Sequence, residues 1–201
     1  MDNALRHLTS NDPVMADLIV RFPAPSFTPH SNYYHELVSS IISQQLSVKA
    51  AKTIETRFKE LFGGSFPSPE QILQKEIEEL RSIGLSRPKA NYIQDLARNI
   101  IDGSVDFSTI DTLTNDEIIT ELTKVKGVGQ WTVHMFLMFC MGRLDVLPVG
   151  DLGIRNGVGI LYEFQHIPTP EEIATVATVN HWHPYESVAS WYIWRSLENK
   201  S

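Results

Sequence analysis

Apolar residues recur along this chain at the three- and four-residue spacing of helices, punctuated by glycine, proline and capping residues. Leu37, Val38, Ile41 and Ile42 predict a helix from residue 33 to about 44. Ser47 is placed to cap the next helix, over 48–62, which Gly63 and Gly64 then end. Ser68-Pro69-Glu70 opens another, with proline in its first turn. Two further patterns, 80–84 and 89–101, are joined by the bend Ile83-Gly84-Leu85 and are expected to be scaffold under the stretch that follows. Leu113-Thr114 supplies the next cap. Later helices are predicted over 152–164, 171–179 and about 185–197, and a short one over 13–21 precedes the extended link of Pro23, Pro25 and Pro29. No run alternates with the period of a strand, and there is no repeat array or low-complexity segment. The pattern predicts an all-α chain.

The densest signal lies between residues 115 and 151. Ile118, Ile119, Leu122 and Val125 complete one apolar stripe, and Lys126-Gly127-Val128-Gly129 breaks it. Two glycines around one apolar residue allow a tight turn with positive φ. A second helix follows at once, from Gln130 to about Met141, apolar on most sides and therefore buried. Helix, short turn and helix leave backbone N–H groups at the start of the second helix, an anion site that needs no side chain and suits a nucleic-acid phosphate. The same turn also serves a plain helical hairpin, so it does not decide function alone.

Composition narrows the class. The chain has 201 residues with 42% hydrophobic content, enough to bury a core in one domain or two small lobes. No apolar run is long enough to span a membrane and no signal peptide is evident, which predicts a soluble intracellular protein, in the nucleoid-bearing cytoplasm of a prokaryote or the nucleus of a eukaryote. The single Cys140 sits among Met138, Phe139 and Met141 and reads as core. One cysteine excludes a disulfide framework and equally a four-cysteine iron–sulfur cluster. The net charge of −7 counts against a basic nucleic-acid coat. The acids, however, concentrate in 70–79 and 102–121, whereas Lys49, Lys52, Arg87, Lys89, Lys124, Lys126, Arg143 and Arg155 lie in or near the motifs.

Three separated blocks carry a family resemblance: Ile41-Ile42-Ser43-Gln44-Gln45-Leu46-Ser47, then Lys126-Gly127-Val128-Gly129-Gln130-Trp131-Thr132 with Val149-Gly150-Asp151 downstream, then Trp182-His183-Pro184-Tyr185 through Trp194. In this order they resemble the helix-hairpin-helix DNA glycosylase superfamily, and within it the alkylated-base branch of 3-methyladenine DNA glycosylase II, over about 33–194. The resemblance implies two helical lobes with the active-site cleft between them, formed by residues 33–201 with the hairpin at about 115–141. Residues 1–32 are then expected as a segment packing on those lobes, without the β domain that some relatives carry in front.

The resemblance also assigns residues. Asp151 reads from its position alone as an N-cap held ionised by backbone N–H groups. In the family such a fixed carboxylate stabilises an oxocarbenium-like sugar or orients water. Gln44, Gln45 and Leu46 become wedge candidates that fill the gap left by a flipped nucleotide, although the same corner also reads as an ordinary inter-helix loop. Lys126, Gly127, Val128, Gly129 and Thr132 become the phosphate-binding turn. Trp131 stands where strand-cleaving relatives hold a Schiff-base lysine, which implies a glycosylase without lyase activity. Trp131 and Trp194 are the main base-pocket candidates, with His134, Tyr33 and Tyr34 beside them and Trp191 a weaker one. Indole faces attract a cationic alkylated purine. Trp182 reads as packing. The backbone carbonyls of Thr123, Val125 and Val128 could hold a structural Na⁺ or K⁺, as family hairpins do, and catalysis requires no cofactor. His181 and His183 lack a third ligand and read as surface residues. Glu186 departs from the family, where a basic residue is common, and puts one local salt bridge in question.

Expected substrates are 3-methyladenine and 7-methylguanine in double-stranded DNA, acted on by a monomer with no membrane partner. Two other classes fit part of the pattern: a helix-hairpin-helix protein that binds DNA or damage without catalysis, and a helical interaction protein.

Overall fold

The computed structural model describes residues 1–198, so the last three residues of the domain drawn at 33–201 lie outside the described residues. Those described are helical or irregular, with no strand among them, as expected of an all-α chain. No helix among the described residues is long and apolar enough to cross a membrane.

The chain forms two compact units, one from residues 30–136 and the other from 1–29 together with 137 onward. The continuous unit holds α3 (Tyr33–Ser43), α4 (Val48–Leu61), α5 (Pro69–Leu73), α6 (Ile77–Ser82), α7 (Arg87–Ile101), α8 (Asn115–Leu122) and α9 (Gln130–Met135). Side chains fix their starts. Ser47 Oγ accepts the Ala50 N–H at the head of α4, and Ser68 and Thr114 form reciprocal capping boxes with Gln71 and Glu117. The core of this unit collects Leu37, Val38, Ile41 and Ile42 from α3, Phe58 from α4, and Ile93, Leu96 and Ala97 from α7, all fully buried. The four from α3 are the positions that the helical spacing marks.

The discontinuous unit joins α1 (Asp2–Asn11) and α2 (Pro13–Arg21) to α10 (Leu152–Leu161), α11 (Pro170–Val179) and α12 (Glu186–Glu198). Asp12 ties it together. This residue, 1% exposed, caps α2 through Oδ1, which accepts the N–H groups of Val14 and Met15 at 2.8 and 3.2 Å. Its Oδ2 accepts the Tyr162 hydroxyl at 2.5 Å and the Trp182 indole N–H at 2.7 Å. Burial and this carboxylate hold the Tyr162 phenol well above its ordinary pKa. Trp182 is fully buried, the packing role expected of it.

Several boundaries differ from the periodicity. The N-terminal segment, expected over 1–32 to pack on the lobes, belongs to this unit through residue 29: Ala4, Leu8, Met15 and Leu18 lie in the same apolar cluster as Ile154, Trp182 and Ile193. Helix α1 goes unseen in the pattern because its buried stripe is two residues, Ala4 and Leu8, in a polar run. The helix expected over 152–164 ends at Leu161, since Glu163 turns left-handed at φ 58°. The helix expected from Gln130 to Met141 keeps α-geometry only to Met135 and continues as a π-helical turn, Phe136–Cys140. Cys140 is buried, as its neighbours suggest.

Candidate active site

In the continuous unit the Gly-Val-Gly turn and the corner after α3 meet. Val128 N–H bonds to Val125 C=O at 3.1 Å, and Gly127 takes φ 80° between them. A Cβ on Gly127 would sit 2.1 Å from the Tyr92 ring, so only glycine fits. Gly129 begins α9 in extended backbone, offers no side-chain cap, and would meet nothing within 4 Å if it carried a Cβ. A ligand can therefore approach the head of α9 closely. Gln44 reaches across to this turn, its Nε2 donating to Gly127 C=O at 3.0 Å. Gln45 is exposed at φ 56°, a region that costs a residue with a Cβ about 1–2 kcal/mol. Leu46 is exposed beside it, its N–H bonded to Ser43 C=O at 3.1 Å. The three wedge candidates thus separate: Gln44 is turned inward to the hairpin, and Gln45 and Leu46 face out.

A cavity of about 880 Å³ opens between corner and hairpin, lined in part by Ser39, Ser43, Gln44, Gln45, Gly127, Trp131 and Thr132. Trp131 stands at it with 54% of its surface exposed, unusual for a large aromatic on a helix whose next three residues are buried. The phosphate-turn residues divide. Lys126 extends into solvent at 76% side-chain exposure, yet its N–H donates to Asp95 Oδ2 at 2.9 Å and its ammonium lies 3.4 Å from Asp95 Oδ1. Val128 and Thr132 are buried, at 3% and 6%, so neither offers a side chain to solvent, and Thr132 belongs to the cavity wall. Asp95 is invisible in the pattern, because a single acid in α7 has no local signature.

The other pocket candidates of this unit do not join Trp131. Tyr33 and Tyr34 line a separate hollow of about 480 Å³ with Phe107, Ser108 and Asp111. The Tyr33 hydroxyl donates to Asp111 Oδ1 at 2.7 Å, and its ring meets Phe136 edge-on. The Tyr34 hydroxyl is buried without a hydrogen-bond partner among the described residues, and burial with nearby Glu70 raises its pKa. His134 is 8% exposed and lines neither space; burial pushes its imidazole below the ordinary 6.5. None of the three lines the cavity at which Trp131 stands.

In the discontinuous unit Asp151 caps α10, as its position before an apolar stripe predicts. Its Oδ1 accepts the Ile154 N–H and the Trp194 indole N–H, each at 2.8 Å. Trp194 is half-buried, and its ring lies 6.2 Å from Phe139, which stacks on Phe27 at 5.6 Å. Phe27 and Phe139 are absent from the sequence-derived site, because one lies in the proline link and the other reads as helix core. Trp191 packs edge-on against Tyr192 at 5.1 Å and borders the apolar cluster. His181 and His183 go separate ways: the His181 carbonyl meets His7 Nε2 at 2.6 Å, and His183 pairs with Glu186 at 3.0 Å. Glu186 therefore has a local partner of its own.

Comparisons with known proteins agree on one family. The description "HhH-GPD superfamily base excision DNA repair protein" matches residues 38–180. The chain is 38% identical over 165 residues to "DNA-3-methyladenine glycosylase 1" of Schizosaccharomyces pombe, covering 81% of this chain and 72% of that protein. Among solved structures, the 3-methyladenine DNA glycosylase of the same yeast in complex with abasic DNA superposes with a TM-score of 0.81 at 34% identity, over 98% of both chains. A DNA-3-methyladenine glycosidase from Bacillus halodurans gives 0.86 at 34% identity, over 98% of this chain and 89% of that one.

Proposed function

The chain belongs to the HhH-GPD superfamily of base excision DNA repair proteins, and we propose that it is a monofunctional glycosylase that hydrolyses the N-glycosidic bond of alkylated purines flipped out of duplex DNA. The observation that carries this reading is the Asp151 carboxylate, held by a helix-terminal N–H and the Trp194 indole on the same oxygen. Two fixed donors orient the group without solvent having to reorganise. A carboxylate so fixed stabilises positive charge as it develops on the deoxyribose, while the electrons of the breaking bond leave with the base. It also orients the water that adds to the sugar carbon. An N3- or N7-alkylated purine already carries positive charge and departs readily, so no general acid is needed. The exposed indole of Trp131 supplies a face for such a base.

The related proteins named for 3-methyladenine, one of them solved on abasic DNA, support the substrate class and the duplex partner. The absence of lyase chemistry rests on Trp131, which cannot form a Schiff base. The hairpin would hold a phosphate through Lys126 and the open backbone around Gly129. Neutral carbonyl oxygens suit a hard monovalent cation. Thr123, Val125 and Val128 would offer three, and Val125 keeps one lone pair after accepting the Val128 N–H. Such an ion would tie the turn to the same phosphate.

The test is incubation of the protein with methylated genomic DNA, with released bases separated by chromatography. Free 3-methyladenine or 7-methylguanine, and abasic sites that break only on later alkali treatment, are expected. Binding to the DNA with no base released would overturn the enzymatic reading and leave a damage-binding protein. Strand breaks formed without alkali would overturn the monofunctional assignment.

A further inference from the structure

Helix α7 presents three side chains at spacing i, i+3, i+6, namely Lys89, Tyr92 and Asp95, and each meets the site. Asp95 accepts the Lys126 N–H and pairs with the Lys126 ammonium. The Tyr92 ring fills the space in which a Gly127 side chain would stand. Lys89 works at the corner: its ammonium donates to Ile42 C=O at 2.8 Å and to Gln44 C=O at 2.5 Å. Those carbonyls lie at the C-terminal end of α3, where helical partners run out and the dipole favours a cation. The residue that follows is Gln45, left-handed without being glycine. A conformation of that kind persists only where its surroundings over-determine it. Gln44 completes the frame, its carbonyl held by Lys89 and its side-chain amide by Gly127 C=O. One helix therefore sets both the turn that would grip the backbone and the corner that would enter the base stack.

We propose that Lys89 is a positioning residue for base extrusion: its ammonium locks the 44–46 corner in register with the hairpin, so that Gln45 and Leu46 enter the duplex while the hairpin holds the phosphate. This inference rests on the glycosylase reading but concerns a residue that touches neither base nor sugar. Burial lowers the Lys89 pKa, and the two carbonyls that accept from its ammonium favour the charged form.

The experiment compares Lys89→Met and Lys89→Arg with the wild-type protein by three readouts. These are affinity for undamaged duplex, single-turnover release of 7-methylguanine, and fluorescence of 2-aminopurine placed beside a stable abasic analogue, which brightens when the stack opens. Lys89→Met is expected to keep duplex affinity within about twofold, since hairpin contacts set it. Excision should fall about tenfold or more, the scale of a lost charge-assisted hydrogen bond, and the fluorescence rise should disappear with it. Lys89→Arg should recover part of both. Wild-type excision and fluorescence in a folded Lys89→Met protein would overturn the proposal. So would duplex affinity falling in step with excision, which would make Lys89 an ordinary phosphate contact. Lys89→Gln keeps an N–H donor and carries the same test if the methionine variant does not fold. A wild-type protein that brightens the probe without releasing base would overturn the glycosylase reading and leave the corner assignment supported.

Discussion

Asp151 and Trp194 share one hydrogen bond at 2.8 Å, and Gly153 is the residue that leaves room for it. A Cβ on Gly153 would stand 2.9 Å from Asp151 Oδ1 and 3.0 Å from the Trp194 ring nitrogen. Gly153→Ala is therefore expected to push the two apart. Alanine suits a helix, so the fold should stand, while single-turnover excision falls about tenfold or more. An unchanged rate in a folded variant would mean that the pair does not orient the carboxylate for chemistry.

Asp151→Asn separates cap from catalyst. Asparagine still accepts the Ile154 N–H, so melting temperature should move little. Excision should drop by about a hundredfold or more, since a neutral amide cannot balance a developing positive charge. Measured excision within about threefold of wild type would reduce Asp151 to a cap.

The two hairpin glycines are expected to fail differently. Gly127→Ala forces a Cβ into the Tyr92 ring at positive φ, and should cost about 2–5 kcal/mol of stability. Gly129→Ala meets nothing and should fold normally, yet weaken binding to every duplex alike by blocking close approach to the head of α9. Denaturant melts and duplex titrations of both variants distinguish the effects; equal stability would contradict the packing argument.

These pairs show how far the chain could be read in advance. The helices, their caps and the buried stripes follow from spacing, because each is a local property of a few consecutive residues. Asp151 and Trp131 are also legible, the first from its place before an apolar stripe and the second through the glycine turn that precedes it. Asp12, Asp95, Phe27 and Phe139 are not, because their meaning lies in partners far along the chain. The surroundings of Tyr33, Tyr34 and His134 are not legible for the same reason: an aromatic near a motif gives no sign of whether its neighbours already enclose it.

Substrate choice should follow charge. Trp131→Ala is expected to lose about tenfold more activity on 7-methylguanine than on neutral hypoxanthine in matched duplexes, with Trp131→Phe between them. Equal losses on both would mean that the indole supplies shape alone.

Acid should weaken the fold partly through His134. Burial depresses its pKa below 6.5, so at lower pH the unfolded chain binds a proton that the folded chain refuses. The neutral imidazole's contribution is complete above 6.5 and is lost as pH falls through the depressed folded value. His134→Gln should show a shallower fall in melting temperature between neutral and mildly acidic buffer; parallel profiles would exclude His134 as a source.

The bonds of Asp12 to Tyr162 and Trp182 span 150 and 170 positions of sequence. During synthesis α1 and α2 are made well before α10 to α12, which complete their packing, and residues 30–136 are made between them as one uninterrupted stretch. The first two helices of this unit thus wait for the partners that bury them. Until then Leu8, Met15 and the Asp12 carboxylate lack the distant side chains that enclose them in the folded unit. The unit that carries Asp151 closes only once α10 to α12 have joined α1 and α2.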